Sequence, residues 1–153
     1  MIMSSDSRPE DQTRGKGPYV GAMMRIGWQW VRAQIYSGVV AAGYDDLNPA
    51  HVGLIRYPTF EGLRPTMLAE QVGITKQSVN DLLGHLEGRG YLVRMPDPTD
   101  GRARVIRLTA KGRRLGETIN AEAQAAERRI AEILGPRRFA QLRSSLELLT
   151  ELN

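Results

Sequence analysis

The side chains in this sequence best placed to do chemistry are cationic. Between residues 94 and 114, Arg94, Arg102, Arg104, Arg107, Lys111, Arg113 and Arg114 are opposed only by Asp97 and Asp100, a local balance of +5. Residues 1–55 balance at 0, residues 56–115 at +5 and residues 116–153 at −1, so the whole of the net +4 comes from the centre of the chain. Guanidinium and ammonium groups gathered in this way suit a polyanion, because neutralising phosphates releases condensed counterions. A solvated basic face without a partner is the plainer alternative. The elements that carry the charge must decide between them.

Other chemistries find little support. The chain has no Cys, which excludes thiolate metal sites, cysteine nucleophiles and disulfide scaffolds. His51 and His85 are its only histidines, and it has no Gly-x-Ser-x-Gly, no phosphate-binding glycine loop and no His-Glu-x-x-His. No nucleophile, metal or cofactor constellation is visible, so the chain is not expected to be an enzyme, and neither a cofactor nor a metal is implied.

The centre of the chain supplies the positioning elements. Thr66 to Leu86 reads as two helices joined by a tight turn, with apolar or small residues at Leu68, Ala69, Val72, Ile74, Val79, Leu82, Leu83 and Leu86. Ala69 is small where two helices must cross, Gly73 gives the turn a permissive backbone, and Val79 returns to pack on the first helix. That is the register of a helix-turn-helix. Thr75 is the expected cap of the second helix, which leaves Lys76, Gln77, Ser78 and Asn80 near its N-terminal end, where side chains reach base edges and backbone amides reach phosphate. An ordinary helical hairpin with a polar outer face has the same spacing.

Gly88-Arg89-Gly90 ends that helix. Tyr91 to Arg94 and Arg102 to Leu108 read as two strands around the turn-rich loop Pro96 to Gly101. This pattern predicts a β-wing with Arg102 at the tip, able to enter a minor groove, and with Arg94 and Arg104 beside it. Asp100 is expected to brace the tip by pairing with Arg102 or Arg104, an exposed pair worth at most about 1 kcal/mol.

Longer elements flank the module. Met24, Trp28, Val31, Ile35 and Val39 recur at helical spacing between Tyr19 and Ala42; Asn48 and Pro49 can start a short helix that ends before Pro58. After the wing, Leu115 to Ile133 and Phe139 to Leu152 carry two more apolar stripes. These stripes exceed what a module of this size can cover, and a partner chain is the expected use of the surplus; a monomeric bundle is the alternative. The expected fold is mainly α with a small β-wing. Its parts are a disordered polar arm (1–18), an N-terminal dimerisation helix (19–47), a winged helix-turn-helix (48–114) and C-terminal dimerisation helices (115–153). With no apolar leader and no stretch near the roughly 20 residues that span a bilayer, the chain is expected to be cytoplasmic and away from membranes.

Three runs, Leu68 to Val79, Leu86 to Arg94 and Asp97 to Arg104, together with Leu108-Thr109-Ala110-Lys111-Gly112, closely resemble the MarR family of bacterial transcriptional regulators. The resemblance covers about residues 20–150 and implies a homodimer that binds double-stranded DNA at pseudo-palindromic operators, often as a repressor released by a small aromatic or phenolic effector. It assigns Thr75, Gln77, Ser78 and Asn80 to the recognition helix and Arg102 to the wing. Asp81 and Gly84 depart from it, standing where the family often has a basic and a helix-favouring residue. The implied effector pocket would lie near Trp28, Arg32, Tyr36 and His51, although aromatic residues at helical spacing are usually core. A winged helix used for protein–protein contact without DNA is the competing reading, since fold does not fix function.

Overall fold

The computed structural model describes residues 17–56 and 61–151. Nearly all of the polar arm expected over 1–18 lies outside them, as do Pro58 and Leu152. The described elements are α1 (Val20–Ala41), α2 (Pro49–Ile55), α3 (Pro65–Val72), α4 (Lys76–Gly88), β1 (Leu92–Asp97), β2 (Asp100–Leu108), α5 (Ala110–Leu134) and α6 (Pro136–Thr150). None of the described helices is long and apolar enough to cross a membrane.

Local chemistry places the boundaries. The Asn48 side chain accepts the amides of Ala50 and His51 at 2.9 and 3.1 Å, while His51 Nδ1 accepts the Asn48 amide at 3.1 Å, closing a reciprocal cap on α2. Pro49 occupies the first turn, where its missing N–H costs nothing. Gly73 ends α3 at φ 71°, a left-handed conformation that resists a side chain. Thr75 Oγ1 then accepts the Ser78 amide at 3.1 Å and starts α4.

One apolar cluster joins Ile35 and Val39 of α1, Leu54 of α2, Leu68 of α3, Val79, Leu83 and Leu86 of α4, Leu92 and Ile106 of the strands, and Leu115 and Ile119 of α5. α1 and α6 both pack on α5. Only Ile35 and Val39 of α1 are buried, and nothing in α6 is. Met24 and Trp28, part of the predicted stripe, remain 45% and 43% exposed.

The wing is longer than its sequence suggests. β1 and β2 pair antiparallel from Leu92↔Leu108 to Asp97↔Asp100, with an irregularity between Pro96 and Asp97, so only Pro98 and Thr99 remain at the tip. Pro96, Asp97, Asp100 and Gly101, read from the sequence as loop, are strand. The ribbon has two strands, and a proline is tolerated at an edge where its missing donor leaves no partner unsatisfied.

At the base of the wing, α5 approaches the chain closely. Thr109 caps α5 by accepting the Gly112 amide at 3.1 Å and donates its hydroxyl to the Gly90 and Tyr91 carbonyls at 2.6 and 3.2 Å. A Cβ on Gly112 would collide with the Tyr91 carbonyl oxygen, which is backbone and cannot swing away. Gly112→Ala should therefore destabilise the fold by about 1 to 3 kcal/mol despite its gain in helix propensity. Urea melts would check this; an unchanged midpoint would mean that the contact relaxes without cost.

Candidate nucleic-acid interface

The cationic side chains of the wing share a face. Side chains alternate along a strand, so Arg102, Arg104 and Ile106 point to one side of β2, and Arg94, opposite Ile106, points the same way. Ile106 and the neighbouring Leu92 are buried in the core beneath α4. The same face therefore continues beyond the core as a row of guanidinium groups beside α4. Arg102 and Arg104 are exposed, and among the described residues their side chains make no ion pair.

Arg94 is held differently. Its Nε lies 3.5 Å from Glu87 Oε2, and its Nη atoms donate to Asn80 Oδ1 and to the Asn80 carbonyl at 3.4 and 3.2 Å. It links wing to α4 more than it projects outward. Asn80 is engaged from both sides, since its Nδ2 also donates to the Lys76 carbonyl at 3.0 Å. Gln77 donates to Asp81 at 2.9 Å, and Ser78 Oγ lies 2.8 Å from Thr75 Oγ1. Lys76 is exposed at the start of α4, with no acidic residue in the first turn. A helix N-terminus with free donors and a lysine favours an anion.

The tip is braced by a residue that sequence reasoning missed. Asp100 Oδ1 accepts the Arg102 amide at 3.1 Å, but its charge faces Arg64, 3.7 Å away, in place of the Arg102 or Arg104 side chain expected. Arg64 also donates from Nε to Asp97 Oδ2 at 2.7 Å, and its Nη2 lies 2.6 Å from the same oxygen as an ion pair. Asp97 Oδ1 accepts the Thr99 amide and hydroxyl at 2.8 and 2.7 Å. These Thr99 bonds, followed by Arg64, hold the Asp97 carboxyl down at about 2. Nothing local could have announced a pair 33 residues apart.

A cavity of about 350 Å³ lies behind the helix-turn-helix, lined by Trp28, Arg32 and Tyr36 of α1, Gly53 of α2, Arg56, and Leu82 of α4. Three of the four expected pocket residues meet there. Tyr36 donates its hydroxyl to the Leu47 carbonyl at 3.0 Å, and the Arg56 guanidinium sits 4.2 Å above the Trp28 ring. Arg56 was not anticipated. His51 does not line the cavity; it is buried with its ring stacked 4.0 Å from His85. Among the described residues no three His, Asp or Glu side chains gather to hold a metal.

Two helices at a tight glycine turn, an exposed N-terminal face on the second, and an antiparallel ribbon beside it carrying arginines define a winged helix-turn-helix protein. The sequence profile of the MarR family matches residues 45–103, the short helix, the helix-turn-helix and most of the wing. An HTH-type transcriptional repressor of Mycobacterium tuberculosis, Rv2887, is 32% identical over 88 residues, 58% of this chain and 63% of the relative. This chain thus spans less than two thirds of that relative's length. CouR of Rhodococcus jostii RHA1, solved bound to a 23-mer DNA duplex, superimposes with a TM-score of 0.68 at 27% identity, covering 86% of this chain and 92% of that one. MarR of E. coli shares the fold, with a TM-score of 0.77 at 17% identity over 88% of this chain and 98% of its own. The chain is thus similar to the MarR family over the short helix, the helix-turn-helix and most of the wing, and it shares the fold of MarR over most of its length.

Proposed function

We propose that this chain is a DNA-binding transcriptional repressor, acting as a homodimer on a pseudo-palindromic operator and released by a small aromatic or phenolic effector. The observation that carries this reading is the alignment of Arg102 and Arg104 on the wing face next to the exposed N-terminal end of α4. Lys76, Gln77, Ser78 and Asn80 enter a major groove from that end, while Arg102 reaches the adjacent minor groove. The cavity supports the effector: Trp28 offers a ring to stack on, Arg32 and Arg56 offer charge to a phenolate or carboxylate, and Leu82 ties the cavity wall to α4. A ligand there bears directly on the reading helix.

Titration of DNA from the chain's own upstream region across a range of salt tests the proposal. Arg102→Ala should weaken binding by about 1 to 3 kcal/mol and lower the salt slope by about one unit, on most operators alike. Gln77→Ala and Asn80→Ala should instead relax discrimination at single base pairs, by roughly the same energy, with the slope nearly unchanged. If Arg102→Ala leaves both affinity and slope untouched, the wing is not a DNA contact. Absence of any protein–DNA complex at low salt would favour a winged helix used for protein contact.

A further inference from the structure

Arg64 stands at the N-terminal boundary of α3, the first helix of the helix-turn-helix, and the chain just before it is fixed to the wing. Gly62 donates to the Ile106 carbonyl at 2.7 Å, and Ile106 donates to the Leu63 carbonyl at 2.9 Å, so this segment pairs along the free edge of β2. Pro65 follows in the first turn of α3 and restricts the backbone at Arg64 to its extended conformation, φ −75° and ψ 145°. From that fixed origin the guanidinium reaches two carboxylates at the far end of the wing, Asp97 and Asp100, which face each other as the last pair of the ribbon. Two like charges so placed repel each other unless a cation lies between them.

Each carboxylate has a second task. Asp97 closes the tip through the Thr99 amide and hydroxyl, and Asp100 fixes the amide of Arg102. Among the described residues, the Arg64 guanidinium is the side chain that ion-pairs with both carboxylates from the start of α3.

Resting on the DNA-binding reading above, we propose that Arg64 is a positioning residue: by clamping Asp97 and Asp100 it fixes the angle between wing and helix-turn-helix at which Arg102 and α4 can engage one duplex together. The Asp97 side chain is 9% exposed, and Arg64 is its one cationic partner among the described residues. The contacts are charge-assisted and come from two nitrogens of one planar group, a geometry that lysine cannot reproduce.

The decisive variant is Asp97→Asn. It removes a negative charge beside the DNA-binding face, so long-range Coulomb attraction alone would make it bind DNA more tightly. The clamp demands the opposite: Asp97→Asn should bind about tenfold more weakly, equivalent to roughly 1.4 kcal/mol. Arg64→Lys should show a similar loss, and the double variant should be little worse than either single one. In the Asp97→Asn background, Arg102→Ala should cost a smaller factor than it does in the wild type, because the tip is already misplaced. Unchanged or tighter binding by Asp97→Asn, or an equal cost of Arg102→Ala in both backgrounds, overturns the proposal. If Arg64→Lys alone weakens binding, Arg64 touches phosphate and is no clamp. Hydrogen exchange at the Thr99 and Arg102 amides, measured without DNA, tests the clamp even if the wild type binds no operator. Both amides should lose protection in each variant relative to the wild type, and unchanged exchange rejects the clamp independently of the DNA-binding reading.

Discussion

Leu146→Asp is expected to abolish the proposed dimer, leaving either separated or unfolded chains. The α6 helix runs for 15 residues without a single buried side chain. Leu142 and Leu146 are each 40% exposed and Leu148 is 66% exposed, while Leu146 shares an open apolar groove with Ile130 and Phe139. A helix of that length is marginal on its own in water, because nucleation fixes several residues before hydrogen bonds repay the entropy. The Arg143 pairs with Glu127 and Glu147 add little, being exposed at both ends. Apolar surface on α1 is left open as well, at Met23, Met24, Ile26 and Trp30. A second copy that covers both faces would bury more than about 2,000 Å², the range of obligate dimers. An aspartate in its centre would then cost several kcal/mol, on the order of the 3 to 5 that an unpaired buried charge costs elsewhere. Sedimentation of the wild type at micromolar concentration gives the first reading and of the variant the second. A wild type that is monomeric and folded would refute the dimer and return the terminal helices to a single-chain bundle.

What the sequence made legible is what neighbouring residues decide among themselves. Asn48-Pro49, Gly73 and Thr75 carry their cap and turn chemistry in their own side chains or lack of one, and each falls where expected. The helix-turn-helix register is readable for the same reason: Ala69, Gly73 and Val79 span only 11 residues. The wing differs from its sequence pattern at Pro96, Asp97, Asp100 and Gly101 because these residues favour turns, and the pairing of β1 with β2 outweighs the preference. Charge revealed where a polyanion would sit, but not which cations are free to meet it. Arg94 is occupied by Glu87 and Asn80, and Arg64, outside the basic cluster, turns out to hold the tip. Asp46, unremarkable in sequence, accepts the Tyr91 hydroxyl at 2.7 Å and lies 3.7 Å from Arg89, fastening the α1–α2 connection to the end of α4 and the base of the wing. Such pairs, 45 residues apart in the case of Asp46 and Tyr91, follow from the fold and cannot precede it.

The buried position of His51 against His85 predicts an acid-sensitive fold. Burial first, then the facing His85 and Arg89, press its pKa from the ordinary 6.5 to about 4, against a smaller opposing pull from Asp46. Geometry gives the same direction: Nδ1 must stay unprotonated to accept the Asn48 amide, and a charged ring would lie 4.0 Å from that of His85. His85 is held in turn by Arg89 at Nδ1 and by the Asp46 carbonyl at Nε2, with Lys111 also 4.0 Å from the Asp46 carboxylate. Below pH 6.5 the unfolded chain therefore takes up a proton that the native state refuses until about pH 4. Stability should be complete above the unfolded value and fall by about 3 kcal/mol across that window, at roughly 1.4 kcal/mol per pH unit. The depressed Asp97 carboxyl acts lower, its contribution fading only between its ordinary 3.8 and about 2, so the two are separable. His51→Gln should start less stable at pH 8, by about 1 kcal/mol for the weakened cap, yet flatten the slope between pH 6.5 and 4. Urea unfolding of both proteins at half-unit steps makes the comparison. Parallel curves would show that the acid sensitivity lies in other groups and that the stacked pair accommodates a proton after all.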